Sequence, residues 1–297
     1  MANVTLTTNS AQVPSGYMPD LIKAIRFNMI MPKLVEQIRD WNKGMGQTIH
    51  QNRTVNWAKG TKVPDTDIVA SAYTIPGDEI IYIDTFDYAA AQVEDFAAMF
   101  LDDAILKDMK ESQAYALNRG VEVTLNSKFS TFSASPTGTS LTGEVNWGHL
   151  VKATGMLERG GINVDAGDVN FVGSIEQRDV FKQDALYMNS DTAGSEGLNN
   201  LTKSAFAQKR ILGVNMYFSP LLNAPAAGGH DMAMFYKKAM VLCYAGKPKY
   251  FEQQRALPLG KLSGFMQAYG VKLSYRHVET PGSTSLTDSW AVYIPGV

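Results

Sequence analysis

The apolar positions change their spacing several times along the chain, and each change marks a predicted element. The longest proline-free run with helical spacing is YAAAQVEDFAAMFLDDAILKDMKESQAYALNRGVEVTL, from Tyr88 to Leu125. As one helix it would extend roughly 50 Å at about 1.5 Å per residue, more than the core of one compact domain needs. Its apolar stripe shifts along the way. Val93, Phe96, Ala97, Phe100, Leu101 and Ala104 share one side, whereas Ile105, Leu106, Met109 and Ala116 fall nearly opposite. Asp95 and Asp102 lie behind the first stripe, and Asp108 and Glu111 behind the second, as solvated backs. Asp103 and Lys107 stand in the favourable order for a helix ion pair. The pattern predicts a spine linking two regions, against the plainer reading of a long helix in an ordinary core. Local rules predict a stop at Gly120, with Val121, Val123 and Leu125 alternating as a strand; unbroken helix is the alternative.

Ahead of the spine, residues 1–20 are polar, with Pro14 and Pro19, and read as an arm. A short amphipathic helix follows, with Leu21, Ile22, Ile25 and Phe27 apolar. Pro32 restarts it, and Leu34, Val35, Ile38 and Trp41 form one face that ends near Gly44. From Gly46 to Pro76 the residues are β-type with few apolar neighbours: GQTIHQNRTVNWAKGTKVPDTDIVASAYTIP. Ile49, Arg53, Val55 and Trp57 lead towards a hairpin tip at Lys59-Gly60-Thr61, and Val63 to Tyr73 lead back. So long a segment with so little apolar surface builds no core of its own, so its natural support is another copy of the chain. EIIYIDTF, residues 79–86, alternates as a strand and delivers the chain to the spine. Asp84 and Asp87 flank that junction as candidate helix N-caps.

A Ser, Thr, Gly and Pro boundary at 130–144 opens a second region. There Trp147 to Leu157 predicts a helix stopped by Gly160-Gly161, Val169 to Val172 a buried strand, and Ile175 to Ala185 a helix. Ile211 to Phe218 predicts a strand ending at Ser219-Pro220, and further strands fall at Ala233 to Tyr244, Gly264 to Arg276 and Ser289 to Ile294. Residues 189–200 and 224–231 read as loops. The fold class is α+β.

Composition narrows the function. The 297 residues are 45% hydrophobic and 19% charged, enough for a proper core, and the net charge of -2 argues against tight charge-driven binding to nucleic acid or an acidic membrane. No run approaches the 18 or so apolar residues of a membrane span, and no secretory signal opens the chain, which predicts a cytosolic protein. The single cysteine, Cys243 in AMVLCYA, reads as a buried small hydrophobe. Four dispersed histidines, with neither HExxH nor CxxC, offer no metal signature. Gly155 to Gly160 has the spacing of a phosphate loop but lacks the lysine that must follow. GxSxG is absent, and Asp102-Asp103 point about 100° apart on a helix. His230-Asp231, after two glycines, is the one tempting pair. Catalytic, cofactor-binding and metal-binding residues are therefore expected to be absent.

The order of arm, extended loop, strand, long helix, mixed second region and closing strands is similar to the major capsid proteins of tailed phages, the HK97-like fold. KGTKVPDTD resembles the tip and return of that family's extended loop, FDYAAAQVEDFAAMFLDDAI the start of its spine helix, and AYALNRGVEVTL the far end, which implies a helix running through Gly120. VNWGHLVKATGMLERGGINVDAGDVNFVGS resembles the first helix and strand of its axial domain, QKRILGVNMYFSPLL a strand near that domain's tip, and GKLSGFMQAYGVKL the returning peripheral strand. The resemblance implies an arm and short helices at 1–45, an extended loop at 46–78, a peripheral domain with the spine at 79–143, an axial domain at 144–235, and return strands at 236–297. It implies a shell enclosing a phage genome, built from pentamers and hexamers of the chain, assembled in the host cytoplasm and kept in the virion. Scaffolding, portal and decoration proteins would be its partners, with loose contact to packaged DNA, no membrane and no cofactor. Trp57 would anchor the loop on a neighbour, with Arg53, Lys59 and Lys62 pairing with acids there. The alternatives are an encapsulin-type compartment shell and a soluble α+β enzyme with a site near His230.

Overall fold

A computed structural model describes residues 26–38, 46–51, 61–65, 67–68, 79–94, 103–132, 145, 147–183, 209–222, 229–255, 260–274, 276–277, 286–287 and 290–295. The elements are α1 (Met31–Leu34), β1 (Glu36–Ile38), β2 (Thr48–Gln51), β3 (Glu79–Tyr82), β4 (Thr85–Glu94), α2 (Asp103–Ser127), α3 (Trp147–Arg159), β5 (Val169–Gly173) and α4 (Ile175–Gln183). They continue as β6 (Lys209–Ile211), β7 (Val214–Phe218), β8 (Asp231–Tyr236), β9 (Met240–Tyr244), β10 (Lys249–Arg255), β11 (Gly260–Leu273), β12 (Arg276–His277), β13 (Leu286–Thr287) and β14 (Ala291–Pro295). The fold is mixed α+β, as the sequence predicts.

The long β11 organises the first sheet. On one side it pairs with β4, from Gly260↔Glu94 to Tyr269↔Thr85; it also pairs with β10 through its first half and β9 through its last residues. β1 adds in parallel to β9. The second sheet runs β14-β8-β5-β7-β6, with the wholly buried VNFVG of β5 at its centre. A strand buried on both faces reads as a continuous apolar run rather than an alternating one. α3 and α4 close over this sheet through Leu150, Ala153, Leu157 and Phe181. α3 ends as predicted: Gly161 takes φ +79, and the Ile162 N–H bonds back to the Leu157 carbonyl. Between β8 and β9 the chain passes from the second sheet to the first through the short 3-10 turn Lys237–Ala239. The C-terminal end of α2 links them again, because Phe129 just beyond it stacks on Phe132 and packs at a tilt against Phe235 of β8.

α2 runs unbroken through Gly120, as the resemblance implied and local rules did not. A Cβ at Gly120 would lie 3.2 Å from the Asp87 carboxylate, so the missing side chain is where α2 settles against β4. Several expectations are corrected. The predicted helix from Tyr88 onwards is strand as far as Glu94, and the described helix begins at Asp103. Val93 therefore lies on a strand and not on a helical stripe. Phe96, Ala97, Phe100 and Leu101 fall outside the described residues, as do the side chains of Ala104, Ile105 and Leu106. The buried apolar face of α2 is Leu117, Val121 and Leu125. Asp87 caps no helix: it sits inside β4 and accepts from the Tyr269 hydroxyl at 2.9 Å. Asp108 and Glu111 are not a merely solvated back, since Arg26 reaches them at 2.7 and 3.2 Å. The helix expected from Pro32 towards Trp41 stops at Leu34, where β9 offers an edge that Glu36–Ile38 joins. The strand expected from Ile211 is instead a hairpin, because Leu212 and Gly213 both take positive φ, 52° and 78°, and fold β6 back on β7. The loops at 189–200 and 224–228 lie outside the described residues.

Candidate functional site

Two exposed features lie near the first sheet, one beyond the separate two-stranded sheet of β2 and β3 and one on the first sheet itself. The extended loop is rooted where β2 pairs antiparallel with β3, from Thr48↔Tyr82 to Gln51↔Glu79. Ile49, Ile81 and Ile83 pack there with Val241 and Cys243 into a small core of their own. β3 crosses β11 so closely that a Cβ on Gly270 would stand 2.0 Å from the Tyr82 carbonyl oxygen. The root is therefore closely packed on β11. Of the predicted contact residues, Arg53, Trp57 and Lys59 lie outside the described residues; Lys62 is described, and it is exposed. Around it the chain turns at Asp65, whose φ is 63°. Ile68 is 78% exposed.

The second feature is the face of the first sheet turned away from α2. Gln113 donates to the Ser263 carbonyl, Gln267 donates to the Leu117 carbonyl, and Tyr269 lies 3.0 Å from Thr124, so the odd-numbered residues of β11 face the helix. Strand alternation then sends Phe86 and Tyr88 of β4, with Met266 of β11, to the other side. Tyr88 is 76% exposed there. A groove of about 340 Å³ lies beside them, bounded by Lys247 and Lys249. Sequence reasoning missed this face because it wound Tyr88 into a helix. The signal was present in the alternation of Tyr82, Asp84, Phe86 and Tyr88.

The residues tested for chemistry are otherwise engaged. Cys243 is fully buried, and burial pushes its thiol up to about 11, the reverse of an activated nucleophile. His230 is half-buried with its Nε2 3.5 Å from the exposed Glu176 carboxylate, and its neighbour Asp231 accepts from the Tyr293 hydroxyl at 2.5 Å. The Tyr293 hydroxyl is pushed up by burial and by that carboxylate. Burial pushes the Tyr269 hydroxyl up to about 12. Glu122 on α2 is wholly buried; its carboxylate accepts from the Ile30 and Met31 N–H groups at 3.0 and 2.8 Å and from the Ser219 hydroxyl at 3.3 Å. Burial raises its carboxyl above the ordinary 4.5 all the same. Its work is structural, since it ties the open end of α1 and the end of β7 to the long helix. Among the described residues no group of three or more His, Cys, Asp or Glu could hold a metal ion, and no helix is long and apolar enough to cross a membrane.

No protein-family model and no curated protein matches the chain. Solved structures do. The capsid structure of cyanophage P-SCSP1u aligns over 96% of this chain and 93% of its own, with TM-score 0.70 at 12% identity. The capsid asymmetric unit of cyanophage Pam1 aligns over 99% of both chains, with TM-score 0.68 at 13% identity. The capsid of Ralstonia phage GP4 aligns over 100% of this chain and 99% of its own, with TM-score 0.66 at 10% identity. The fold of phage capsid chains is thus the fold of this one, from end to end.

Proposed function

We propose that the chain is a major capsid protein that assembles with copies of itself into the icosahedral head of a tailed phage. The observation that carries this reading is the end-to-end match to phage capsid chains, at 99% or more of both lengths for two of them. Among the described residues the thiol of Cys243 is buried, and the acids Asp87 and Asp231 accept from tyrosine hydroxyls. The chain is a structural protein rather than an enzyme. The compartment-shell alternative keeps the fold and changes the cargo; the phage origin of the matched capsids favours a genome.

In this reading α2 is the spine of a peripheral domain formed with the first sheet, and the second sheet with α3 and α4 belongs to an axial domain at about 144–235. Its loops at 189–200 and 223–231 meet around five-fold and six-fold axes, where glycine suits contacts repeated in rings of different size. The segment at 46–78 reaches a neighbouring subunit, and 236–297 completes both domains. Arg53, Trp57, Lys59 and Lys62 are contact residues of the extended loop. Head-to-tail contacts of this kind close into rings, and many weak ones suffice together. Scaffolding, portal and decoration proteins are expected partners during assembly in the host cytoplasm. A net charge of -2 suits a wall that faces packed DNA without gripping it.

Deletion of residues 50–72 tests the reading. No described residue of that segment belongs to either core cluster, so the shortened chain should keep its thermal transition and lose the ability to form shells. Normal shells from the deletion variant would remove the loop from the assembly.

A further inference from the structure

The two faces of the second sheet are held in different ways. Strand alternation puts Asn170 of β5 and Asn215 of β7 on one face, where their amides bond directionally. Asn170 donates to the Leu34 carbonyl at 3.3 Å, and Asn215 donates to the Gly167 carbonyl at 2.8 Å. The other face carries Phe171 at its centre, with Met216 beside it on β7 and Met234 beside it on β8. Met232 shares that face, its sulfur 3.5 Å from where a Cβ on Gly173 would stand. All three methionines are 2% exposed or less. α4 closes over this layer with Phe181 tilted against Phe171, and α3 with Leu150, Ala153 and Leu157. Thr154 of α3 reaches the Met234 sulfur at 3.8 Å, a weak and loosely directed contact.

An unbranched thioether side chain fills a gap in several ways at similar cost, whereas a branched one specifies a single packing. We infer that Met216, Met232 and Met234 form an adaptable bed on which α3 takes more than one seat, so that one chain fits rings of different size. The sheet beneath stays pinned through its asparagines. The outer side of α3 exposes Val151, 46% open to solvent, so a contact made there by another copy acts on the helix and is absorbed under it. A core of fixed rotamers would pass the same strain to the rest of the fold, because close-packed interiors transmit it.

The inference rests on the self-assembly reading, and the test separates the two. In the unassembled chain, labelled with carbon-13 at the methionine methyls, NMR should show Met216, Met232 and Met234 averaging between rotamers. Met31 and Met240, which are just as buried but lie outside this layer, should each hold one. Met216→Ile with Met234→Ile keeps side-chain volume and suits a strand, so its thermal transition should stay within a few degrees of wild type. Its yield of closed shells should fall about tenfold, since small misfits multiply over many contacts. Met216→Leu with Met234→Leu gives the same readout if the isoleucine pair does not fold. Methyls in the layer as rigid as those of Met31 and Met240, or a folded pair that makes shells as abundantly as wild type, overturn the inference and leave self-assembly standing. A wild-type chain that forms no shells overturns the reading beneath it.

Discussion

At the scale of the residue, two positions carry constraints that substitution exposes. Leu212 holds φ 52° in a two-residue hairpin turn, where a bulky side chain is disfavoured and Asn or Gly is at ease. Leu212→Asn should therefore raise unfolding free energy by about 1 kcal/mol in a denaturant titration. Glu122 is buried with a carboxyl raised above 4.5, so folding favours its protonated form. Stability from this group is present below 4.5 and is lost as pH rises through the raised value. Glu122→Gln keeps an acceptor for the Ile30 and Met31 N–H groups and removes the charge. Compared with wild type, its melting temperature should gain as pH rises from 4.5 through the raised value and then level off. Parallel pH profiles for the two proteins would mean that Glu122 titrates as it does unfolded.

Elements show where a pattern in the sequence is decided by something beyond it. α3 and β5 were legible, because an apolar stripe stopped by paired glycines and a short continuous apolar run each has one reading. The stretch from Tyr88 to Glu94 was not. Its alanines have high helix propensity, but their small size also lets β4 lie tightly on β11, where a Cβ on Gly264 would stand 2.5 Å from the Ala89 carbonyl oxygen. That partner lies more than a hundred residues further along, outside the reach of local rules. The same holds for Glu36–Ile38, drawn into a sheet by the edge of β9. Gly120 was misjudged locally for the opposite reason, since helix packing requires a small residue where propensity alone would end the helix. The candidate surfaces divided in the same way: the loop was visible as β-type sequence without a core, whereas the open face depended on the strand assignment. The loop's root gives a direct check. Gly270→Ala should cost about 3 kcal/mol, because β3 has no room to retreat from β11. Hydrogen exchange should locate the loss at Thr48–Gln51 and Glu79–Tyr82. A variant as stable as wild type would contradict the close crossing.

At the scale of the whole molecule, the chain joins two five-stranded sheets with one long helix, and Phe86, Tyr88 and Ile68 stay exposed among the described residues. Such surfaces on a near-neutral protein suit assembly with copies of itself better than binding to a polyanion. Cryo-electron microscopy of the expressed chain, with and without the proteins encoded beside it, decides whether the chain assembles with its copies. Closed shells one subunit thick are expected, with rings of five and six subunits and density for residues 46–78 crossing onto a neighbour. A monodisperse monomer under both conditions, at every concentration tried, would contradict self-assembly.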